Sequence, residues 1–199
     1  MSKFDQQLQT KYASDRSQWR QWLLEDHQTS VGIWLIYYKV KYTAIAGMLS
    51  ISYPEAVKEA LCFGSIDSKV SSLDQERYMQ VFTPRKPKSV WSKLNKQYIQ
   101  ELTDQNLMTT AGLEKIEIAQ QDGSWTSLDA IEELIIPVDL EQALATNISA
   151  SQNFTSFSKS SKKNILFWIS STKRPETRSK RIEQTIIAAA QNQNPLVKL

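Results

Sequence analysis

The chain has 199 residues and a mass of 22.8 kDa, with 41% apolar and 23% charged residues and a formal net charge of +3. That apolar share is enough for a proper core, which excludes wholesale disorder, and the length fits one domain with or without a helical extension. Cys62 and His27 are single, which excludes an intramolecular disulfide, multi-cysteine zinc and two-histidine metal sites; five glycines without GxGxxG or GxxxxGK[ST] exclude the usual nucleotide cradles.

In chain order, Met1 to Thr10 carries no apolar h-region and no small-residue cleavage site, and the longest apolar-rich run, Val31 to Val40, is too short to span a bilayer. With a lone thiol, which suits a reducing interior, these features give a cytoplasmic expectation. Asp15–His27 reads as a helix capped by Ser14 or Asp15, with Trp19, Trp22 and Leu23 on one stripe. Val31–Lys39, apolar on both alternating faces, reads as a strand covered on both sides, and 41–51 as a loop. Ser52-Tyr-Pro-Glu55 is a capping box opening a helix with Ala56, Val57, Ala60 and Leu61 buried, stopped by Gly64. Ile66–Val70 and Glu76–Phe82 read as a hairpin joined through Ser71–Gln75.

From Thr83 the pattern is helical. Ser89 is expected to cap a helix in which Val90, Leu94, Tyr98 and Leu102 recur, and Thr110 one over Ala111–Gln121 stopped by Gly123. Helices follow over Asp139–Thr146, Ser149–Phe157, Ser161–Ser171 and from Pro175 to about Gln191. Strands first and helices afterwards make an α+β fold: a small, three-stranded, mostly antiparallel sheet packed with helices, and a helical C-terminal half. The expected organisation is a single domain, 1–199, with a sheet part at 1–105, a helical part at 106–191 and a loose tail at 192–199.

Charge is segregated. Residues 83–100 hold Arg85, Lys86, Lys88, Lys93 and Lys96 without an acid; residues 159–181 hold eight bases against Glu176; residues 101–141 hold ten acids against Lys115. The plainer reading is mutual neutralisation through exposed pairs of little worth. The sharper one is that the two basic segments converge on one anion-binding face.

Two segments are richer in unusual residues than a core requires. These are Glu59–Ser68, followed by Asp74 and Arg77, and Phe82–Asn95, where Pro84 and Pro87 stiffen a loop that presents Arg85 and Lys86 beside a helix start. Cys62 is a candidate nucleophile with His27 as its base, although the apolar neighbours Leu61 and Phe63 favour a buried structural thiol. His27 reads first as a helix-end residue facing the dipole. Asp67 and Asp74 are a candidate acid–base or cation pair; the plainer reading makes each a turn residue or the partner of Arg77 or Arg85. Arg174-Pro-Glu-Thr-Arg178 reads first as a helix start capped by Thr172, and second as a cationic lobe facing Arg85 and Lys86.

Ser52-Tyr-Pro-Glu-Ala56, Glu59–Ser68, Phe82–Asn95 and Lys173–Ile182 together resemble the YdeI/OmpD-associated (bacteriocin-protection) family, in order and spacing from about Trp19 to Ile186. Where that family usually has tryptophan after the glycine at position 64, this chain has Ser65. The resemblance implies a role in resistance to bacteriocins or cationic antimicrobial peptides and association with an outer-membrane porin, with no assigned catalytic residues. It also implies kinship with small YdhG-like α+β domains, some compared with frataxin as iron chaperones.

The preferred reading is a non-enzymatic cytoplasmic binding or stress-resistance protein. Asp67, Asp74, Arg77, Arg85, Lys86, Trp91, Asn95, Arg174 and Arg178 are expected to line a cleft for an anionic small molecule or protein partner, with Trp91 as an apolar wall and Asp67 orienting an arginine. No cofactor, metal or membrane span is expected, and neither basic segment reads as a nucleic-acid tail. The alternatives are an iron-binding protein using the carboxylates of 101–141, and an enzyme using Cys62 or the Asp67/Asp74 pair.

Overall fold

The computed structural model describes residues 7–197, so the first six residues of the leader reading and the last two of the expected tail lie outside it. The chain divides into two compact units, Met1–Thr126 and Ser127–Leu199.

Unit 1 is built on a mixed four-stranded sheet of order β1-β2-β4-β3: β1 Gln9–Tyr12, β2 Ile33–Tyr38, β3 Ser65–Ser72 and β4 Arg77–Pro84. The expectation of three mostly antiparallel strands is corrected by β1, which pairs parallel to β2 from Gln9 against Ile33 to Tyr12 against Ile36. Its four residues, QTKY, lack an apolar alternation and are largely exposed, so period-2 patterning cannot reveal it. The β3–β4 hairpin forms as expected, with a register irregularity between Asp67 and Val70.

Helix α1, Arg16–Asp26, is capped by Asp15, whose carboxylate accepts from the Gln18 amide at 2.9 Å. It buries Trp19 and Leu23, and the Trp19 indole donates to the Ala56 carbonyl at 3.1 Å. Residues 41–51 are not all loop: α2 spans Val40–Ala46 and ends at Gly47 in the left-handed conformation (φ 64°). That glycine is the helix-stop signal the composition of the segment obscures. Helix α3, Tyr53–Cys62, carries the full Ser52/Glu55 capping box. Besides the expected apolar stripe it buries Glu59, clamped by Arg16 and Arg20 from α1.

Ser89 does not cap a helix. It closes a turn onto the Lys86 carbonyl, and α4 starts at Lys93 under Ser92, whose hydroxyl accepts from the Asn95 amide at 3.1 Å. The buried stripe of α4 is Ile99 and Leu102, while Leu94 is half exposed. Helix α5, Thr110–Gln121, is capped by Thr109 rather than Thr110. The Thr109 hydroxyl also donates to the Cys62 carbonyl at 2.6 Å, which fastens α5 to the end of α3. Ala13, Trp19, Leu23, Leu35, Ala60, Phe82 and Leu102 share the main core; Leu8, Trp34, Met79 and Val81 cover the other sheet face. Each fully buried leucine or valine there contributes roughly 1.5–3 kcal/mol.

Unit 2 is helical: α6 Asp129–Glu132, α7 Val138–Ala145, α8 Ile148–Ser156, α9 Lys159–Ser170 and α10 Pro175–Ala190. Its core gathers Leu140, Phe154, Ile165, Leu166, Ile169 and Ala189, and Asn153 of α8 donates to the Ala189 carbonyl of α10 at 2.8 Å. Thr172 does not cap α10; its hydroxyl bonds the Ile169 carbonyl at 2.9 Å, and Arg174 stands at the N-cap without a side-chain bond. Among the described residues no helix is long and apolar enough to cross a membrane.

The tightest approach in unit 1 is at Gly112, where a Cβ would meet the Cys62 carbonyl oxygen at 2.3 Å. Gly112→Ala is expected to lower stability by about 2–3 kcal/mol, since backbone rather than a flexible side chain must yield. Urea unfolding followed by tryptophan fluorescence checks this: the midpoint falls at constant slope, and an unchanged midpoint contradicts the packing.

Candidate functional site

The site grows from the end of β4. The Arg85 amide donates to the Gly64 carbonyl at 2.9 Å, which pins the residue where the strand stops. Beyond it the chain turns between Pro84 and Pro87, and Lys88 takes a positive φ of 63°. That strained backbone is held by its own amide, which donates to the Asp122 carboxylate at 2.8 Å. The other Asp122 oxygen accepts from the Ser124 amide at 2.9 Å; these bonds, the Ser124 side chain foremost, hold the Asp122 carboxyl below the usual range.

The turn folds Arg85 inward, to 3% exposure. Its guanidinium lies over the Trp91 ring, 3.5 Å from the centroid, and Nη1 donates to the Val90 carbonyl at 3.1 Å. Trp91 is itself buried and meets Trp125 at 5.1 Å. Arg85 Nε and Nη2 are buried and have no hydrogen-bond partner in the protein. Burial pushes the Arg85 pKa down to about 10, with the Asp67 charge opposing the shift, so the group stays cationic at neutral pH. A narrow recess of about 10 Å3, room for one water-sized atom, is lined by Arg85, Lys86, Lys88, Trp91, Lys115 and Asp122.

Lys115 reaches this recess from α5 because Gly64 has no side chain: a Cβ there would meet Lys115 Cγ at 2.6 Å, and φ is +69°. A larger hollow, about 580 Å3, opens in unit 2 beside Trp168, Ile187 and Val197, and none of its lining residues is charged.

Of the nine residues expected from sequence, Arg85, Lys86 and Trp91 meet in one place. Asp67 accepts from the Tyr53 hydroxyl at 2.9 Å and the Gln80 amide at 2.7 Å; it acts on Arg85 through its charge. Asp74 and Arg77 form a self-contained pair in the hairpin turn, with carboxylate contacts of 2.8 Å to Nε and 2.6 Å to Nη2. Arg77 begins β4, so eight residue steps place it about 26 Å along the strand from Arg85. Asn95 serves the first turn of α4 through its amide. In unit 2, Arg178 is held by both oxygens of Asp139, at 2.6 and 2.9 Å, and Arg174 stands exposed at the start of α10.

Lys88, Lys115, Asp122 and Ser124 were not expected at the site. Lys88 lies in the Phe82–Asn95 segment beside the residues expected there, Lys115 lies in a stretch notable for its acids, and a positive φ at lysine has no sequence signature. Glu59 had a signal: Arg16 and Arg20 stand one helical turn apart, and a glutamate interrupts an apolar stripe. Among the described residues no three His, Cys, Asp or Glu side chains are gathered to hold a metal ion.

Cys62 is fully buried, and burial, with the Glu59 charge adding to it, pushes its thiol up while Arg20 pulls the other way. His27 Nδ1 donates to the Leu23 carbonyl of its own helix at 2.7 Å, and the ring lies against Phe63. A thiol-reactive aromatic disulfide is therefore expected to label Cys62 only as fast as the protein opens; labelling of the native protein within seconds contradicts the burial.

A family model described as "Domain of unknown function (DUF8412)" matches residues 11–115, and one described as "Bacteriocin-protection, YdeI or OmpD-Associated" matches residues 133–192. The second covers the Lys173–Ile182 string of the sequence resemblance, whereas the strings at 52–68 and 82–95 fall within the first. No curated protein and no solved structure matches the chain.

Proposed function

We propose, for a chain that belongs through residues 11–115 to the family described as Domain of unknown function (DUF8412), that unit 1 is an oxyanion-binding module centred on Arg85. The observation that carries this is the unpartnered Nε/Nη2 edge of an arginine that is only 3% exposed. Those two nitrogens lie on one side of the guanidinium and form the fork that carboxylate and phosphate groups take bidentately. Trp91 covers one face of the plane and Val90 holds the opposite edge, so the fork is fixed in direction before a ligand arrives.

The electrostatics support the same reading. A pKa brought down to about 10 corresponds to a burial penalty of roughly 3 kcal/mol on the charged form. No carboxylate of the described residues makes a hydrogen bond or ion pair with Arg85, and a ligand anion at the fork offsets the penalty. This penalty is present at every pH below about 10 and fades as pH rises beyond that, because the unfolded chain holds its proton longer.

The role is binding rather than catalysis, supported by a Cys62 thiol that is buried and raised. The description of the model that matches residues 133–192, in unit 2, supports a role of the protein in bacteriocin protection, and Arg174 is an exposed cation of that unit. A lone buried thiol supports a cytoplasmic placement of the protein.

Titration calorimetry with acetate and with inorganic phosphate tests the module. Wild type is expected to bind at least one of them, and Arg85→Lys, which keeps the charge and loses the fork, to weaken that binding about tenfold or more. Heat traces at the dilution baseline for both anions, or equal affinities in wild type and variant, overturn the proposal.

A further inference from the structure

Resting on that oxyanion reading, we propose that the group taken at Arg85 is the terminal phosphate of a monoester, bound as the dianion. Four cations from three elements surround the recess: Arg85 at the end of β4, Lys86 and Lys88 in the turn, and Lys115 on α5. One carboxylate, Asp122, stands among them, and its oxygens are engaged by the backbone amides of Lys88 and Ser124. The local surplus is +3. A carboxylate or a phosphodiester brings a single negative charge and leaves most of that surplus unanswered, while a phosphate monoester brings close to two at neutral pH.

Shape points the same way. A hollow with room for about one water admits a single unsubstituted oxygen, which a monoester offers from three positions and an internal phosphodiester from only two. A planar carboxylate with one oxygen on the Arg85 fork has a single oxygen left outside the hollow. A tetrahedral phosphate monoester with one oxygen on the same fork leaves two more unsubstituted oxygens outside it, where the flexible ammonium groups act as point charges. Lys115 is the decisive one of these, because its stem is laid across Gly64, the residue that also anchors the Arg85 amide.

The test compares phenyl phosphate, benzenesulfonate and benzoate, which share a ring and differ in head group, by calorimetry at pH 7.5 and fixed ionic strength. Phenyl phosphate is expected to bind about tenfold or more tightly than the other two, and to lose most of that lead in Lys115→Met, a half-buried surface position that leaves the core intact. Equal affinity for all three probes, or a lead shared with benzenesulfonate, overturns the phosphate assignment and leaves the oxyanion reading standing. Absence of binding by every probe overturns both. Phenyl phosphate affinity that survives Arg85→Lys and Lys115→Met together also overturns both, since the site then lies elsewhere.

Discussion

The end of α3 is where unit 1 is tied together, and the constraint is steric before it is chemical. Two consecutive stretches of backbone there serve as anchors: the Cys62 carbonyl receives the Thr109 hydroxyl and lies against Gly112, and the Gly64 carbonyl receives the Arg85 amide. A side chain at either glycine would push α5 away, and with it Lys115 and Asp122. The recess at Arg85 therefore depends on two missing Cβ atoms more than on any attractive contact. Its two prolines and its strained Lys88 are arranged around a distance that α3 and α5 have already set.

Among the described residues, two charges are buried in this unit and are treated differently. Glu59, at 1% exposure, is met by two arginines from α1, one of which also donates to the Leu107 carbonyl at 3.0 Å. Arg85, at 3% exposure, is met by an aromatic face and one carbonyl. A fully compensated buried charge reads as architecture, because removing either partner strands the other. An under-compensated one, kept in a fixed orientation by a ring and a carbonyl, reads as a group prepared for something outside the chain.

Much of the framework was legible in the sequence because the signals were local. The Ser52/Glu55 box, Gly64 as a stop, the Val31–Lys39 run and the 65–84 hairpin all rest on neighbours within a few residues. Strand β1 was not legible, since its pairing is with β2 across α1 and its own residues carry no alternation. The start of α4 was misplaced because Ser89 and Ser92 are equivalent as caps on paper, and what separates them is the turn that Lys88 closes with Asp122. At the site, Arg85, Lys86 and Trp91 stood out through their proline-bounded loop. Charge alone places Asp74 and Arg77 in the same cleft, whereas the plainer reading of a turn pair is the one that three-residue spacing at a hairpin tip satisfies.

The irregular register between Asp67 and Val70 has a bearing on how the molecule keeps to itself. It falls on β3, one of the two outer strands, and the opposite margin is the four-residue β1. An interrupted outer strand bearing an exposed lysine, Lys69, offers no straight row of free amides and carbonyls, and a margin of four residues offers too short a one. Among the described residues, both margins of the sheet thus carry features that disfavour the addition of a further strand, and with it fibre-like stacking.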